Sequence, residues 1–231
     1  MALRISEYFY SIQGEGRTMG VPAVFVRLQA CNILCKGEWV CDTIEVWKTG
    51  NKYSSLQFLL MIKDYIPYLE KGTHLIFTGG EPILQKKGIV EFILLFTETY
   101  GFTPYLEIET NGTLSPGKEL SDKIDLFNCS FKLANSGVRY DRRIKIEVLK
   151  ELLNYNTIFK IVVANEKDYE EARLIFDEVG IRNKNIYLMP PADNINELNK
   201  NHKAVSDICI KESLNFSTRL QIILWNKTTG V

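Results

Sequence analysis

Apolar positions along the chain follow two spacings, one typical of buried strands and one typical of helices. Short apolar runs predict strands at residues 23–28, 74–77, 105–108, 126–131, 157–163, 186–189 and 219–224. Helical spacing predicts helices at residues 54–69, 88–100, 144–153, 166–179 and about 197–214. Gly72, Gly101 and Gly180 follow three of these helices, at the position where glycine commonly ends a helix.

Predicted strands and helices alternate along the sequence, which is typical of a parallel sheet with helices outside it. Six or so strand–helix units are too few for a closed eight-stranded barrel. We therefore expect an α/β fold, a partial (incomplete) TIM-like barrel of parallel strands with outer helices. No linker rich in proline, glycine or serine divides the chain, so we predict a single domain over residues 1–231.

The charge balance and the cysteine content exclude several classes of protein. Lys and Arg number 28, as do Asp and Glu, and the zero net charge is unlike that of proteins that coat nucleic acid. Five cysteines are too few for a disulfide scaffold, and Cys129 and Cys209 stand alone and are expected to be buried. No apolar run approaches the ~20 residues of a membrane-spanning helix, and the first residues lack a signal peptide's apolar segment. We expect a cytoplasmic protein with reduced thiols and with neither a nucleic-acid nor a membrane partner.

Chemistry-bearing motifs follow three of the predicted strands. A cysteine-rich segment follows residues 23–28, Gly-Gly-Glu-Pro at 79–82 follows residues 74–77, and Glu-Thr-Asn-Gly at 109–112 follows residues 105–108. Since sites in parallel strand–helix folds form at the carboxyl ends of the strands, these motifs predict one shared site.

Cys31, Cys35 and Cys41 form a cluster with the spacing C-x3-C-x5-C. Three soft thiolates on one loop suit a soft metal ion or an iron–sulfur cluster. A structural zinc site usually has four protein ligands, and neither His74 nor His202 has a ligand spacing to the cysteines. Three ligands without a fourth favour a four-iron cluster with one iron open to a small ligand. A non-enzymatic zinc-binding module and a loop without metal are the alternatives.

The three cysteines and the Gly-Gly-Glu-Pro turn together resemble the radical S-adenosylmethionine (SAM) superfamily. In that superfamily SAM chelates the open iron through its amino and carboxylate groups, and reduction cleaves it to a 5′-deoxyadenosyl radical. The usual spacing there is C-x3-C-x2-C with an aromatic residue before the last cysteine, whereas this chain has residues 36–40 between its last two cysteines. Loop-closure entropy grows slowly with loop length, so the longer loop is compatible with the same ligands.

Motifs spread over nearly the whole chain resemble the 7-carboxy-7-deazaguanine synthase family: SIQGEG at 11–16, FVRLQACN at 25–32, CDT at 41–43, FTGGEP at 77–82, EIETNGT at 107–113, SFKLANSG at 130–137 and RLQIILWNKTTGV at 219–231. The resemblance implies a lyase that converts 6-carboxy-5,6,7,8-tetrahydropterin to 7-carboxy-7-deazaguanine with loss of ammonia, in the biosynthesis of queuosine and other 7-deazapurines. It also implies a [4Fe-4S] cluster, SAM and Mg²⁺ as cofactors, an electron donor such as flavodoxin or ferredoxin, and a homodimer. Another radical SAM enzyme, such as a glycyl-radical activating enzyme, is the alternative, although it does not explain QGEG or the last motif.

The resemblance further implies that the pterin substrate contacts four side chains. Gln13 and Glu15 lie in a glycine-punctuated turn, and an amide and a carboxylate can bind the donor and acceptor edge of a pterin. Arg27 needs a partner when buried in a strand, either the substrate carboxylate or a structural ion pair. Gln221 stands where the family often has histidine, so it can hydrogen-bond but cannot carry charge. Thr43 resembles the position whose hydroxyl joins the Mg²⁺ shell.

The cofactors account for the other candidate residues. The cysteines are implied to hold the iron–sulfur cluster, and seven residues are implied to bind SAM: Gly79, Gly80, Glu81, Glu109, Asn111, Ser130 and Lys132. Glu81 either fixes its turn or accepts a hydrogen bond from the methionyl amine. Ser136 is a weaker candidate, Lys160 either pairs with an acidic group or reaches the site, and Asp42 is interpreted as a turn former. The last three residues, 229–231, are predicted to fold toward the site.

Overall fold

The computed structural model describes residues 2–41, 43–228 and 230. Within them, the strands belong to one sheet: β1 (Ala2–Ile12), β2 (Pro22–Leu28), β3 (Asn51–Ser54), β4 (His74–Gly79), β5 (Leu106–Thr110), β6 (Leu126–Cys129), β7 (Thr157–Val162), β8 (Ile186–Met189) and β9 (Asn215–Phe216). Their order is β3-β1-β2-β4-β5-β6-β7-β8-β9, with β3 and β9 at the two open edges. β1 runs antiparallel to β2 and β3, and every other neighbouring pair is parallel. The predicted incomplete parallel barrel is confirmed.

Helices lie between and beyond these strands: α1 (Ile44–Trp47), α2 (Ser55–Met61), α3 (Ile66–Glu70), α4 (Lys86–Tyr100), α5 (Lys118–Ser121), α6 (Tyr140–Arg143), α7 (Ile146–Leu152), α8 (Glu166–Val179), α9 (Ile195–Glu212) and α10 (Leu220–Trp225). Local sequence sets several of their ends. Gly180 ends α8 in the left-handed conformation, at φ 85, as predicted. At the start of α2, the side chains of Ser54 and Gln57 accept hydrogen bonds from each other's backbone amides.

Two predictions about these elements are wrong. Residues 219–224 are predicted to form a strand but fold largely as helix α10, whose Ile222 packs against Leu198 and Ala192. A short apolar run fits either element. The single helix predicted at 54–69 is broken into α2 and α3, because Pro67 has no amide N–H and tolerates only the first turn of a helix.

The antiparallel strands β1 and β3 lie outside the predicted strands. β1 alternates cleanly only at its start, where Leu3 and Ile5 are buried beside the exposed Arg4, and most of the strand is half-buried on both faces. Such a strand gives little periodic signal. Its partner β3 has only four residues, all of them polar or aromatic.

The parallel strands separate two faces of the sheet by their alternation. One face carries apolar side chains such as Val24, Phe77 and Ile108, which pack with Phe92 and Phe96 of α4 in the main core. Polar side chains in adjacent register share the opposite face, called the inner face below: Arg27, Thr78, Glu107, Glu109, Asn128 and Lys160. Because helices cover the first face, chemistry is concentrated on the inner face.

The connection between β1 and β2 lies across the inner face. Its Thr18 hydroxyl donates to Glu107 at 3.1 Å, and its Gly16 amide donates to Ser217 Oγ at 2.8 Å. Gly16 has φ 73, and a Cβ there would lie 2.9 Å from the Ile158 side chain, so only glycine fits. The connection thereby brings the predicted substrate residues onto the strands.

The cysteines and the helices bear on two further predictions. All five cysteines are free thiols, and Cys129 and Cys209 are buried as predicted. Across the described ranges, no helix has both the length and the apolar character to cross a membrane.

Candidate active site at the carboxyl edge of the sheet

The three clustered cysteines lie on the loop that leaves β2 and leads into α1. Cys35 is buried at 5% exposure, and Cys31 and Cys41 are partly exposed. The Cys41 amide donates to the Cys35 carbonyl at 3.2 Å and folds the loop back on itself. Asn111, beyond β5, places its amide nitrogen 3.8 Å from Cys31 Sγ, and Thr43 places its hydroxyl 3.4 Å from Cys41 Sγ. The loop thus places Cys31 beside the end of β5.

Burial raises the pKa of the Cys31 thiol to about 11. The backbone amide of Ile33 and the charge of Lys132 act against this shift, whereas Glu81 and Cys35 add to it. Burial also raises the pKa of Cys35. Thiols in such surroundings become thiolates when a metal supplies compensating positive charge.

The donor set fits an iron–sulfur cluster better than a single zinc ion. Among the described residues, no three His, Cys, Asp or Glu side chains stand close enough together to hold one metal ion. A four-iron cluster is larger than one ion and is held by thiolates at separate corners, so its ligands need not meet at a point. Cys31, Cys35 and Cys41 therefore suit a cluster with one iron left open.

The Gly-Gly-Glu turn at the end of β4 packs directly beneath the cysteine loop. A Cβ on Gly79 would lie 2.3 Å from the Leu28 carbonyl oxygen, and one on Gly80 would lie 1.9 Å from that of Ala30. Both glycines are therefore required for backbone contact with the loop. The Glu81 amide completes this contact by donating to the Ala30 carbonyl at 2.8 Å.

Glu81 fixes this turn, one of the two roles predicted for it. The side chain is fully buried, and its oxygens accept hydrogen bonds from the Ile83 amide, the Thr110 hydroxyl and the Asn111 amide at 2.7–3.0 Å. Burial raises the pKa of this carboxyl, although the same hydrogen bonds oppose the shift. Glu81 thus ties the end of β4 to the end of β5.

Lys132, Ser130 and Ser136 lie on the segment that follows β6. Lys132 Nζ donates to Ser130 Oγ at 3.1 Å, and its charge opposes the rise that burial causes in the pKa of both Cys31 and Cys35. Ser136 instead donates its hydroxyl to the Leu133 carbonyl at 2.6 Å. Lys132 and Ser130 thus lie near the cysteine loop, whereas the Ser136 hydroxyl stabilises the turn in which it lies.

Glu109 is the centre of a polar group on the inner face. It is predicted to follow a strand but lies within β5, and its Oε2 accepts from Thr78 Oγ1 at 2.6 Å. Its Oε1 accepts from Gln13 Nε2 at 3.3 Å and from Lys160 Nζ at 3.4 Å. Glu109 therefore joins the predicted substrate side chain Gln13 to strands β4 and β7.

Glu15 is the central carboxylate of a buried ion cluster. Its Oε2 accepts from Lys160 Nζ at 2.6 Å, and its Oε1 accepts from Arg219 Nε at 3.1 Å and Gln221 Nε2 at 2.7 Å. Burial alone would raise the pKa of this carboxyl, but Lys160 and Arg219 hold it well below the usual range. Lys160 pairs with two carboxylates, Glu15 and Glu109, which raise its pKa above the usual range despite burial.

Arg27 sits on the inner face, with its side chain 15% exposed. Its Nε pairs with Glu7 Oε1 at 2.7 Å, which is the structural ion pair that the sequence left as an alternative. A guanidinium has five N–H donors, so this pair leaves donors for a ligand. The Cβ position of Gly230 lies 3.9 Å from Glu7 Oε2, near this pair. Residues 42, 229 and 231, for which a turn or a fold toward the site is predicted, lie outside the described residues.

Three polar residues of the site lie within the sequence motifs but are not among the predicted site residues. Arg219 and Thr78 bind the predicted site residues Glu15 and Glu109, and Glu107 is fully buried on the inner face. The strict alternation of LEIET in β5 is the signal for the carboxylates, since it places both of them opposite the apolar core. Arg219 lies in the segment predicted as a strand, so its orientation could not be read from periodicity.

Replacing Gly80 with alanine is expected to separate the turn from the cysteine loop. The new Cβ would collide with the backbone of Ala30. Removing this collision requires a shift of the backbone, and shifts caused by overpacking cost about 1–3 kcal/mol. We expect this variant to lose most of its bound iron after anaerobic reconstitution while keeping its far-UV circular dichroism. Gly72→Ala is the control for a glycine replacement far from any collision, because a Cβ at Gly72 has nothing within 4 Å, although its φ of 99 strains the backbone locally. Full iron content in Gly80→Ala would contradict the required contact.

Known proteins resemble this chain in sequence and in fold. The family described as a 4Fe-4S single cluster domain matches residues 12–126. The 7-carboxy-7-deazaguanine synthase of Halobacterium salinarum is 31% identical over 97% of this chain and 91% of its own. The enzyme of that name from Clostridium acetobutylicum is 34% identical over 98% and 97%.

Two solved structures share the fold. QueE from Escherichia coli superposes with a TM-score of 0.69 at 22% identity, covering 95% of each chain. SuiB from Streptococcus suis, solved with its precursor peptide SuiA, gives a TM-score of 0.54 at 17% identity, over 79% of this chain and 45% of its own. At these identities the likeness concerns the fold alone.

Proposed function

Because the chain belongs to the 7-carboxy-7-deazaguanine synthase family, we propose that its cysteine loop and inner face together carry out that family's ring contraction. The enzyme is a radical SAM lyase of 7-deazapurine biosynthesis that converts 6-carboxy-5,6,7,8-tetrahydropterin to 7-carboxy-7-deazaguanine with loss of ammonia, using a [4Fe-4S] cluster and SAM. One observation supports the assignment of roles. The cysteine loop and the charged inner face meet at one edge of the sheet, joined by the turn at Gly79 and Gly80.

The cofactor residues proposed from the sequence surround the cysteine loop. Cys31, Cys35 and Cys41 would hold the cluster, which when bound supplies the electron that cleaves SAM. Gly79, Gly80 and Asn111 would offer backbone and amide groups to SAM beside the cysteine loop, with Glu81 holding the turn. Ser130 and Lys132 face the same loop, and the Lys132 ammonium provides the positive charge for the SAM carboxylate. Glu109, on the inner face, would also contribute to binding SAM.

The substrate residues are proposed to be Gln13, Glu15, Arg27 and Gln221. Arg27 would bind the substrate carboxylate with guanidinium donors that Glu7 does not engage, since such contacts are charge-assisted and can be bidentate. Gln13 is 3% exposed and offers an amide to the pterin edge. The Glu15 carboxylate, which Lys160 and Gln221 hold in place, fixes the position of this turn. These groups orient the pterin over the cysteine loop.

Further cofactor and partner assignments follow from family membership. Thr43 is proposed to bind Mg²⁺ through its hydroxyl, which lies beside the last cysteine. A flavodoxin or ferredoxin would donate the electron, and the enzyme would act as a homodimer. The five free thiols support work in a reducing compartment, the cytoplasm.

Anaerobic turnover tests the proposed function. The reconstituted protein is incubated with 6-carboxytetrahydropterin, SAM and a reductant, with omission of each as the control. We expect a brown protein with about four irons per chain and formation of a deazaguanine product. Cleavage of SAM without conversion of the pterin would favour a glycyl-radical activating enzyme, and stoichiometric zinc without iron would favour a zinc-binding module.

A further inference from the structure

Residues 36–40, which lengthen the cysteine loop, form a small hairpin of their own. Lys36 and Val40 pair as an antiparallel bridge, and the Gly37 amide donates to the Trp39 carbonyl at 3.1 Å. Val40 is 60% exposed, whereas Trp39 is only partly exposed. The hairpin therefore turns its tryptophan toward the protein.

The hairpin docks on residues 135–137, which follow β6. The Lys36 amide donates to the Ser136 carbonyl at 3.1 Å, and the Glu38 amide donates to the Asn135 carbonyl at 2.8 Å. Contact is close, since a Cβ on Gly37 would lie 2.3 Å from the Asn135 carbonyl oxygen. Such a fit fixes the hairpin against the segment that carries Lys132.

The indole of Trp39 is anchored at its polar edge. Its Nε1–H donates to Asn135 Oδ1 at 3.0 Å, and Asn135 in turn donates its Nδ2 to Asp168 of α8 at 2.9 Å. Asn135 is 4% exposed, so this chain of hydrogen bonds is largely shielded from water. A ring held at one edge in this way keeps a fixed orientation.

The Lys132 ammonium lies over the face of this ring, with Nζ 5.7 Å from the ring centroid. An ammonium is attracted to the face of an indole ring, and more strongly when both groups are desolvated. Ser130 Oγ accepts from the same nitrogen on its other side. Two contacts thus define where this charge stands relative to Cys31 and Cys35.

We propose that Trp39 is a positioning residue, which holds the Lys132 ammonium toward the cysteine loop and the SAM carboxylate. The inference rests on the proposed function, since it concerns the cluster and SAM of that same site. Residues 36–40 thereby gain a role, although none of them is a proposed cluster ligand. A tryptophan that merely packed the hairpin would affect the fold of the loop but would not act through Lys132.

Three variants and a control separate these roles in the reconstituted full-length enzyme. Trp39→Leu removes the ring, Trp39→Phe keeps an aromatic face, and Lys132→Met removes the charge. Val40→Ala, on the same hairpin, is the control because its side chain is 60% exposed. The measurements are iron per chain, the midpoint potential of the cluster by redox titration with electron paramagnetic resonance, and the dissociation constant of SAM.

We expect Trp39→Leu to keep its iron, to shift the midpoint potential to more negative values and to weaken SAM binding about fivefold. The sign follows because a nearby cation stabilises the reduced, more negative cluster. Val40→Ala should stay close to wild type, and Trp39→Phe, which keeps an aromatic face but loses the Nε1–H bond to Asn135, should show a smaller shift than Trp39→Leu. In the Lys132→Met background, Trp39→Leu should produce no further shift.

Four outcomes would overturn the inference. A wild-type potential and SAM affinity in Trp39→Leu would do so, as would loss of iron in that variant. An undiminished effect of Trp39→Leu in the Lys132→Met background would show that Trp39 does not act through Lys132. Failure of the wild-type chain to assemble a four-iron cluster would overturn the proposed function and this inference together.

Discussion

Alanine at Cys35 is expected to abolish cluster binding and product formation. Cys31 and Cys41 alone leave two irons of a four-iron cluster without protein ligands, and thiolates are the ligands that such clusters require. The apo fold should persist, because losing one loop sulfur removes only about 1 kcal/mol of packing. Iron content, the brown absorbance and product formation measure the loss, and thermal unfolding of the apo protein measures the fold.

Cys209→Ala provides the matched control for this prediction. Cys209 is also buried, at 3% exposure, but its Sγ contacts the Asn215 carbonyl in β9, far along the sheet from the cysteine loop. We expect Cys209→Ala to bind iron and turn over like wild type. A brown Cys35→Ala protein with four irons and normal turnover would show that Cys35 is not a cluster ligand.

Methionine at Lys160 is expected to destabilise the whole fold at neutral pH. Lys160 is 6% exposed and is the ammonium between Glu15 and Glu109, so its loss leaves two carboxylates facing each other on the inner face. Removing one partner of a buried ion pair costs about 3–5 kcal/mol. Urea unfolding at pH 7 measures the deficit. Lys203→Met, at an exposed pair with Asp207, should leave the unfolding free energy unchanged.

The deficit of Lys160→Met should shrink in acid. In the wild type the pKa of Glu15 is held low, so its contribution to stability is present above the unfolded pKa of about 4.3 and is lost as pH falls further. The raised pKa of Lys160 means that its own contribution is kept at neutral pH and is lost only in strong alkali. Without Lys160 the carboxylate of Glu15 takes up a proton more readily, which relieves its repulsion by Glu109 at pH 4. A deficit that stayed constant from pH 7 to pH 4 would contradict this electrostatic account.

Elements with strong periodicity and clear end signals could be predicted from the sequence. α8 matches its predicted bounds, because apolar spacing and Gly180 agree. α10 could not be predicted, because its short apolar run fits a strand equally well and tertiary contacts of Ile222 decide the outcome. β1 and β3 could not be predicted for a related reason, since a strand that is half-buried on both faces shows no regular alternation of apolar and polar residues.

The candidate site could be predicted wherever a motif lies at a strand end. Gly80 and Asn111 are examples, for their turns meet the cysteine loop as the parallel fold requires. Long-range pairings could not be predicted, since nothing in the sequence near Lys160 indicates that its partner lies 145 residues earlier in the chain. The same holds for Glu15, whose turn predicts a ligand contact but whose carboxylate is engaged by the chain itself. Sequence patterns report local geometry, whereas such pairings depend on the completed fold.

The ion cluster at Glu15 also determines when the substrate face can be completed during biosynthesis. Arg219 and Gln221 follow Glu15 by 204 and 206 residues, and chains emerge from the ribosome amino terminus first. A nascent chain that ends before residue 219 already contains the cysteine loop and all six inner-face residues, yet Glu15 lacks two of its partners. The ion cluster therefore cannot be complete until residues 219 and 221 have been synthesised, and we expect a chain truncated before residue 219 to bind iron without holding its pterin-binding side chains in place.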